Sequence, residues 1–280
     1  MINLLKIASF MLIAGALSCT KTHDTSSGNV IKDSVENLTP KVMAVPVSVV
    51  AYYKLSPFYQ KFLDLNDLPI LSSAAVPDAA LQQAYNIIKI MCSRRPEAFK
   101  ELKKNKIRIG VMGVKEKTTT MPEHSDLTPK DYWDARARGL GATLERPLSS
   151  CAEENLLGYP GDSYKGEDIT VHEFSHTFHQ MAMNYIDTSF DRRLKATYNT
   201  AMANGLWANT YSATNYLEYF AEGVQIFFNV GQSTKGDGIH NGIYNRIQLY
   251  SYDRALHDFI ADAFGGNDMP YMTISKYYKQ

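Results

Sequence analysis

The chain has 280 residues, 29 basic and 29 acidic, so its formal charge is zero, and 45% of its residues are apolar against 21% charged. That composition excludes an extended disordered chain. The charge balance gives no electrostatic reason to expect nucleic acid as a partner.

Residues 1–18 read as a cleaved leader. Met1–Lys6 carries one positive charge, and Ile7–Leu17 is an apolar run with the length of a signal-peptide core. The run ends in Ala16-Leu17-Ser18-Cys19, which resembles a bacterial lipoprotein cleavage box. The resemblance implies cutting before Cys19, lipid attachment to its sulfur, and a place in the cell envelope. An ordinary signal peptide is the alternative. Removing residues 1–18 takes away Lys6 and no acid, leaving a net charge of −1. Residues 19–41 are polar, with Ser26, Ser27 and Gly28, and read as a flexible tether. The remaining residues, 42–280, read as one domain. Cys92 and Cys151 can form a disulfide in an oxidising space or stay as buried thiols, and spacing does not decide between them.

Pro46–Lys54 is β-branched and aromatic and predicts a first strand. Leu81, Tyr85, Ile88 and Cys92 recur at helical spacing, so Asp78–Arg94 predicts an amphipathic helix. A second helix starts at Pro96 and runs to about Lys104. In Lys106–Val114, Ile107, Ile109 and Val111 alternate with Arg108, Gly110 and Met112, as in a half-buried strand. The next fifty residues are irregular and rich in proline and glycine, with one short helix over Tyr132–Arg138. A stretch of that kind often forms a site. Helices are then predicted from Asp168 to about Tyr185, over Phe190–Ala203 and Asn215–Asn229, and as one long helix over Asn241–Phe264, stopped by Gly265-Gly266. Tyr250, Tyr252, Phe259 and Phe264 read as core packing of that last helix. The β signal is confined to the first half, so the fold class is α+β and helix-rich, with a small sheet in the N-terminal half.

The strongest chemical signal is His172-Glu173-Phe174-Ser175-His176. Chance supplies such a spacing about 0.007 times in a chain of this composition. Residues four apart share a helix face, so both imidazoles can reach one zinc ion. Glu173 is turned about 100° away and can take a proton from a water on the metal. A third ligand is still needed. His179 is a weak candidate, a full turn beyond the metal, and better suits supporting a ligand or forming a cleft wall. Glu218 and Glu222 are stronger candidates, four apart on a predicted apolar helix where two acids are costly to bury unless paired or metal-bound. One can bind zinc while the other holds a histidine by its free N–H.

The HEFSH motif, followed by Tyr211 and, 42 residues after His176, by the Glu218-Tyr-Phe-Ala-Glu222 run, resembles the gluzincin zinc peptidases. Within them it is most similar to the family of the anthrax lethal factor catalytic domain and the bacterial Pro-Pro endopeptidases. The resemblance covers Asp168 to Gly223. It implies a zincin-like catalytic domain holding one zinc ion per chain, with His172, His176 and Glu218 as ligands and Glu173 as general base. It further implies that Tyr211 stabilises the oxyanion and that Glu222 orients a histidine. Lys106–Val114 is expected to be the edge strand that aligns a peptide above the metal. The partners expected are a peptide substrate and, through Cys19, the membrane. A peptide- or glycan-binding lipoprotein without turnover and a cell-wall amidohydrolase are the alternatives.

Two weaker signals remain. Cys151-Ala-Glu153-Glu154-Asn155 faintly resembles the glutamate segment of zinc aminopeptidases and reads better as a loop wall of the cleft. Arg136, Arg138 and Arg146 can bind a substrate carboxylate or pair with Asp131 and Asp134.

Overall fold

The computed structural model describes residues 40–272. The leader, Cys19 and nearly all of the expected tether lie outside the described residues. Among those described, no helix is long and apolar enough to cross a membrane.

The domain is α+β. A five-stranded sheet in the order β1-β2-β3-β4-β5 is built from β1 (Met43–Ala44), β2 (Lys61–Leu65), β3 (Leu68–Ser72), β4 (Arg108–Met112) and β5 (Leu148–Ala152). The first three strands pair antiparallel, and β4 lies parallel to both β3 and β5. Asn66 and Asp67 turn the β2–β3 hairpin with φ of 52° and 69°, a conformation that Asn and Asp tolerate best among non-glycine residues. This hairpin is absent from the sequence reading.

Pro46–Lys54 is not a strand. It forms helix α1 (Val47–Tyr53), capped by Pro46 and ended by Lys54 at a left-handed φ of 53°. Proline has no N–H to continue the β1–β2 ladder, and its φ suits a helix start. The parallel β3–β4 pair requires a crossover, supplied by α2 (Asp78–Met91) and α3 (Pro96–Lys104), as the spacing predicts.

β4 also differs from expectation. All five of its residues are buried, and it is the fourth of five strands, not an edge. Both sheet faces are covered. Leu63, Leu65, Ile70, Ile109 and Val111 belong to the main core with the helices. Phe62, Leu71, Met112 and Leu148 meet Tyr53, Tyr59 and Met121 in a second cluster. Arg108 is tolerated inside because Glu123 accepts from its Nη2 at 2.6 Å.

Helix α4 (Lys130–Arg136) sits in the irregular stretch, and α5 (Glu153–Leu157) follows β5 directly. Helix α6 (Ile169–Phe178) continues through a π-helical segment, His179–Met183, and a last turn, Asn184–Ile186. Then come α7 (Phe190–Ala203), α8 (Tyr216–Phe227), α9 (Arg246–Tyr252) and α10 (Arg254–Phe264). The long helix expected over Asn241–Phe264 is thus two. Asp253 breaks it: its Oδ1 caps α10 through Leu256 N, and its Oδ2 accepts from Trp207 Nε1 at 2.9 Å and the Tyr219 hydroxyl at 2.6 Å. Phe259 and Phe264 are core residues, whereas Tyr250 is exposed. Cys92 and Cys151 are both free thiols, and burial pushes each up, Cys151 to about 12.

Candidate metal centre

Two capped helices build the site. Asp168 Oδ1 accepts from Val171 N at 3.1 Å and starts α6, which carries His172 and His176 one turn apart. Asn215 Oδ1 accepts from Leu217 N at 2.8 Å and Glu218 N at 3.1 Å, starting α8 with Glu218 in its first turn. A carboxylate there is favoured by the unsatisfied N–H groups of the helix start. Packing of α8 against α6 brings Glu218 Oε2 to 3.1 Å from His172 Nε2 and 3.3 Å from His176 Nε2. The two imidazole Nε2 atoms are 3.2 Å apart. The group His172, His176 and Glu218 can hold a metal ion, its ligand atoms all lying within 4.8 Å of one another.

The orientation of His172 follows from its other ring nitrogen. Gln225 Nε2 donates to Asp168 O at 2.9 Å, so its Oε1 is the atom 3.0 Å from His172 Nδ1. An amide oxygen only accepts, so Nδ1 carries a proton, and Nε2 is the ring nitrogen left to bind a metal ion when His172 is neutral. Glu222 Oε1 lies 3.4 Å from the same Nδ1. Beside it, and closer to that nitrogen, stands Gln225, which the sequence reading missed. Gln225 is one turn after Glu222 on an apolar helix, and that isolated buried amide is the signal that could have found it. Burial works against a charged His172, yet its bonds to Glu218 and Glu222 hold its proton affinity well above the ordinary histidine range. Burial likewise disfavours ionised Glu218, and the two histidines more than offset it, holding this carboxyl far below the usual range.

Glu173 lies beside the cluster on a cavity of about 710 Å³ that also reaches His172, His176, Glu218 and Tyr211. Burial raises its pKa above the usual carboxylate value, while the histidines and the Gly141 N–H act in the opposite sense. One wall of the cavity is the segment 139–143. Ser150 N donates to Leu140 O at 2.9 Å, so this segment lies antiparallel on β5. Ala142 N donates to Thr177 Oγ1 at 2.9 Å, and Thr177 Oγ1 donates to Glu173 O at 3.0 Å, fastening it to the site helix. The sheet-edge segment beside the cluster is therefore 139–143 and not Lys106–Val114, which the sheet interior excludes.

Tyr211 lines the same cavity and its ring stacks on His172 with centroids 6.4 Å apart. Its N–H donates to Ile239 O at 2.8 Å, tying it to the loop after α8. Burial and Glu218 raise its pKa above the ordinary 10, so the phenol is a donor throughout the neutral range. In that loop Asp237 Oδ2 lies 2.8 Å from His240 Nδ1, and His240 Nε2 is 3.9 Å from Glu167 Oε2. Burial and Glu222 push Glu167 up to about 7. The sequence reading named none of these three.

Other candidates fall elsewhere. His179 is fully buried against Phe190, Phe220 and Tyr216, away from the cavity, with Asp191 3.3 Å from its Nε2; it is neither ligand nor cleft wall. The Cys151–Asn155 run is not a cleft wall either. It is buried, Glu154 is taken by Arg138, and Asn155 Oδ1 accepts from Ile169 N at 2.9 Å. Arg138 and Arg146 pair with Glu154 and Asp126, not with Asp131 or Asp134.

No family model matches this chain, and no curated protein matches it.

Proposed function

We propose that this protein is a zinc-dependent peptidase of the gluzincin type. His172, His176 and Glu218 would hold one zinc ion, Glu173 would act as general base and Tyr211 as donor to the developing oxyanion. The observation that carries this reading is the convergence of those five side chains on one cavity. The fit to zinc is geometric as well as chemical. Two imidazoles and a carboxylate are a usual catalytic zinc set, and tetrahedral bonds of about 2.0–2.1 Å place ligand atoms about 3.3–3.4 Å apart. The three separations here are 3.1, 3.2 and 3.3 Å. Zinc supplies Lewis acidity and lowers the pKa of a water, which is what amide hydrolysis at neutral pH lacks.

The protein's own groups carry the rest. Glu173, with its raised pKa and its place at the cluster's edge, suits taking a proton and returning it to the leaving amine. Tyr211 keeps its proton and can donate to negative charge on the carbonyl oxygen. The segment 139–143 offers main-chain groups beside the cluster to an extended peptide. Export and anchoring through Cys19 belong to the same proposal, with a peptide or protein substrate.

Elemental analysis of the purified protein tests the metal. About one zinc per chain is expected, lost in His176→Ala and in Glu218→Ala. Glu173→Gln should keep the zinc and lose cleavage of a peptide library. No zinc in the parent after metal is supplied would overturn the proposal; surviving turnover in Glu173→Gln would remove the general base.

A further inference from the structure

Three arginines stand out in the irregular stretch, and the structure sorts them. Arg138 grips both carboxylate oxygens of Glu154, at 2.6 and 3.0 Å, and is absorbed by the fold. Arg146 reaches Asp126 at 2.9 Å. Arg136, by contrast, is exposed, and among the described residues it forms no ion pair.

Arg136 also lies on the cavity of the metal cluster. It ends α4, one turn after Trp133, which lines the same cavity. Its position is pinned through its main chain, because the Tyr164 hydroxyl donates to Arg136 O at 2.6 Å. Its guanidinium carbon lies 5.9 Å from the centre of the exposed Tyr132 ring, one turn back on α4. Tyr211, Glu173 and Glu218 line the same cavity. The carboxylates of the cavity do not neutralise it. Glu218 and Glu222 face His172, Asp237 faces His240, Glu167 accepts from Gln225, and Glu173 lies against Gly141. A guanidinium that no carboxylate among the described residues pairs with, on the wall of a peptide-sized cavity, presents a planar fork of donors that matches a carboxylate.

We propose that Arg136 forms a carboxylate-binding subsite of the metal cavity, so that the preferred substrate is a peptide presenting a carboxylate to it. That carboxylate comes from an acidic side chain or from the peptide's C-terminus. This inference rests on the peptidase reading and names the substrate class of that site.

The test uses full-length, zinc-loaded protein carrying Glu173→Gln, so that binding is read without turnover. Fluorescence anisotropy is measured with three matched peptide sets: Glu scanned through an amidated peptide, a neutral peptide with a free C-terminal acid, and the neutral amidated peptide. At least one carboxylate-bearing set should bind about tenfold or more tighter than the neutral amide, the size of a charge-assisted hydrogen bond. Which set does so identifies the source. Adding Arg136→Ala should bring the preference to within about twofold, and Arg136→Glu should turn it toward a Lys-scanned peptide. Arg254→Ala, on an exposed arginine of α10, should leave the preference intact. Equal binding of all three sets, or a preference that survives Arg136→Ala, overturns the subsite. Zinc content and melting temperature confirm that the variants are folded. Cleavage by the unsubstituted protein is scored separately. Carboxylate-selective binding without any cleavage keeps the subsite and removes the peptidase reading. Equal cleavage of acidic and neutral amidated peptides does the reverse.

Discussion

Gly141 passes so close to His176 that a Cβ built on it would stand 2.7 Å from the histidine Cβ and 3.2 Å from Glu173 O. The segment 139–143 can rest on the site helix only because glycine occupies that point. Gly139 is similar: its Cβ would meet Glu173 Cγ and Ser150 O, each at 2.9 Å. These glycines serve close approach rather than a special backbone conformation.

Gly141→Ala should therefore lower stability by about 1–3 kcal/mol, the usual cost of overpacking, and should weaken metal binding by displacing His176. Thermal melts with and without chelator measure both. Gly161→Ala is the comparison, since a Cβ there meets nothing within 4 Å. Equal melting temperatures for the two variants would show that the 139–143 segment yields freely.

Gln225 is expected to matter to the metal although it does not touch it. Gln225→Leu removes the acceptor at His172 Nδ1 and leaves Glu222, 3.4 Å away, as the remaining partner. Metal affinity should fall about 10–100-fold, the usual effect of losing a group that orients a ligand histidine. Competition with a chromogenic chelator reads this directly; unchanged affinity would assign the orienting role to Glu222 alone.

Tyr211→Phe should reduce the rate of peptide cleavage by about 10²-fold with zinc content unchanged, as expected for loss of one donor to an oxyanion. An unchanged rate would take Tyr211 out of the mechanism. A loss of zinc would make it a support of the cluster instead.

Acid should destabilise the fold through two histidines buried neutral. Burial lowers both His124 and His179 from the ordinary 6.5 to about 4. For His124, Glu123 and Asp126 oppose this and Arg146 assists; for His179, Asp191 opposes and His176 and Lys195 assist. A base whose folded pKa is depressed binds protons more tightly when unfolded. Its stabilising effect is complete above pH 6.5 and is lost as pH falls toward 4. The loss is about 3 kcal/mol for each ring over that window. Denaturant midpoints from pH 7 to pH 4 test it, and His179→Phe should remove about half of the slope. A slope untouched by that substitution would place the acid sensitivity elsewhere.

The helices of the crossover, α2 and α3, and α7 begin where the sequence places them, because apolar spacing and a helix-tolerant first residue are local properties. The His172–His176 pair was legible for the same reason: four residues of helix put two side chains on one face whatever surrounds them. Glu218 was one of two candidates by its spacing from Glu222 on an apolar helix, the resemblance chose between them and added Tyr211, and the structure places all three at the cavity. Local pattern failed where a partner distant in the chain decides. Pro46 is the exception, a local stop the strand reading overlooked: the ladder cannot pass it, and the β-branched run after it forms α1. Asp253 splits a helical pattern because Trp207 and Tyr219, 46 and 34 residues away, hold its carboxylate. β4 alternates like a half-buried strand yet is covered on both faces, since a strand's own sequence does not say what packs on its second side. The same limit separates the three arginines. Arg136, Arg138 and Arg146 are alike in composition, and only the tertiary arrangement of Glu154 and Asp126 neutralises two of them and leaves the third facing the metal cavity.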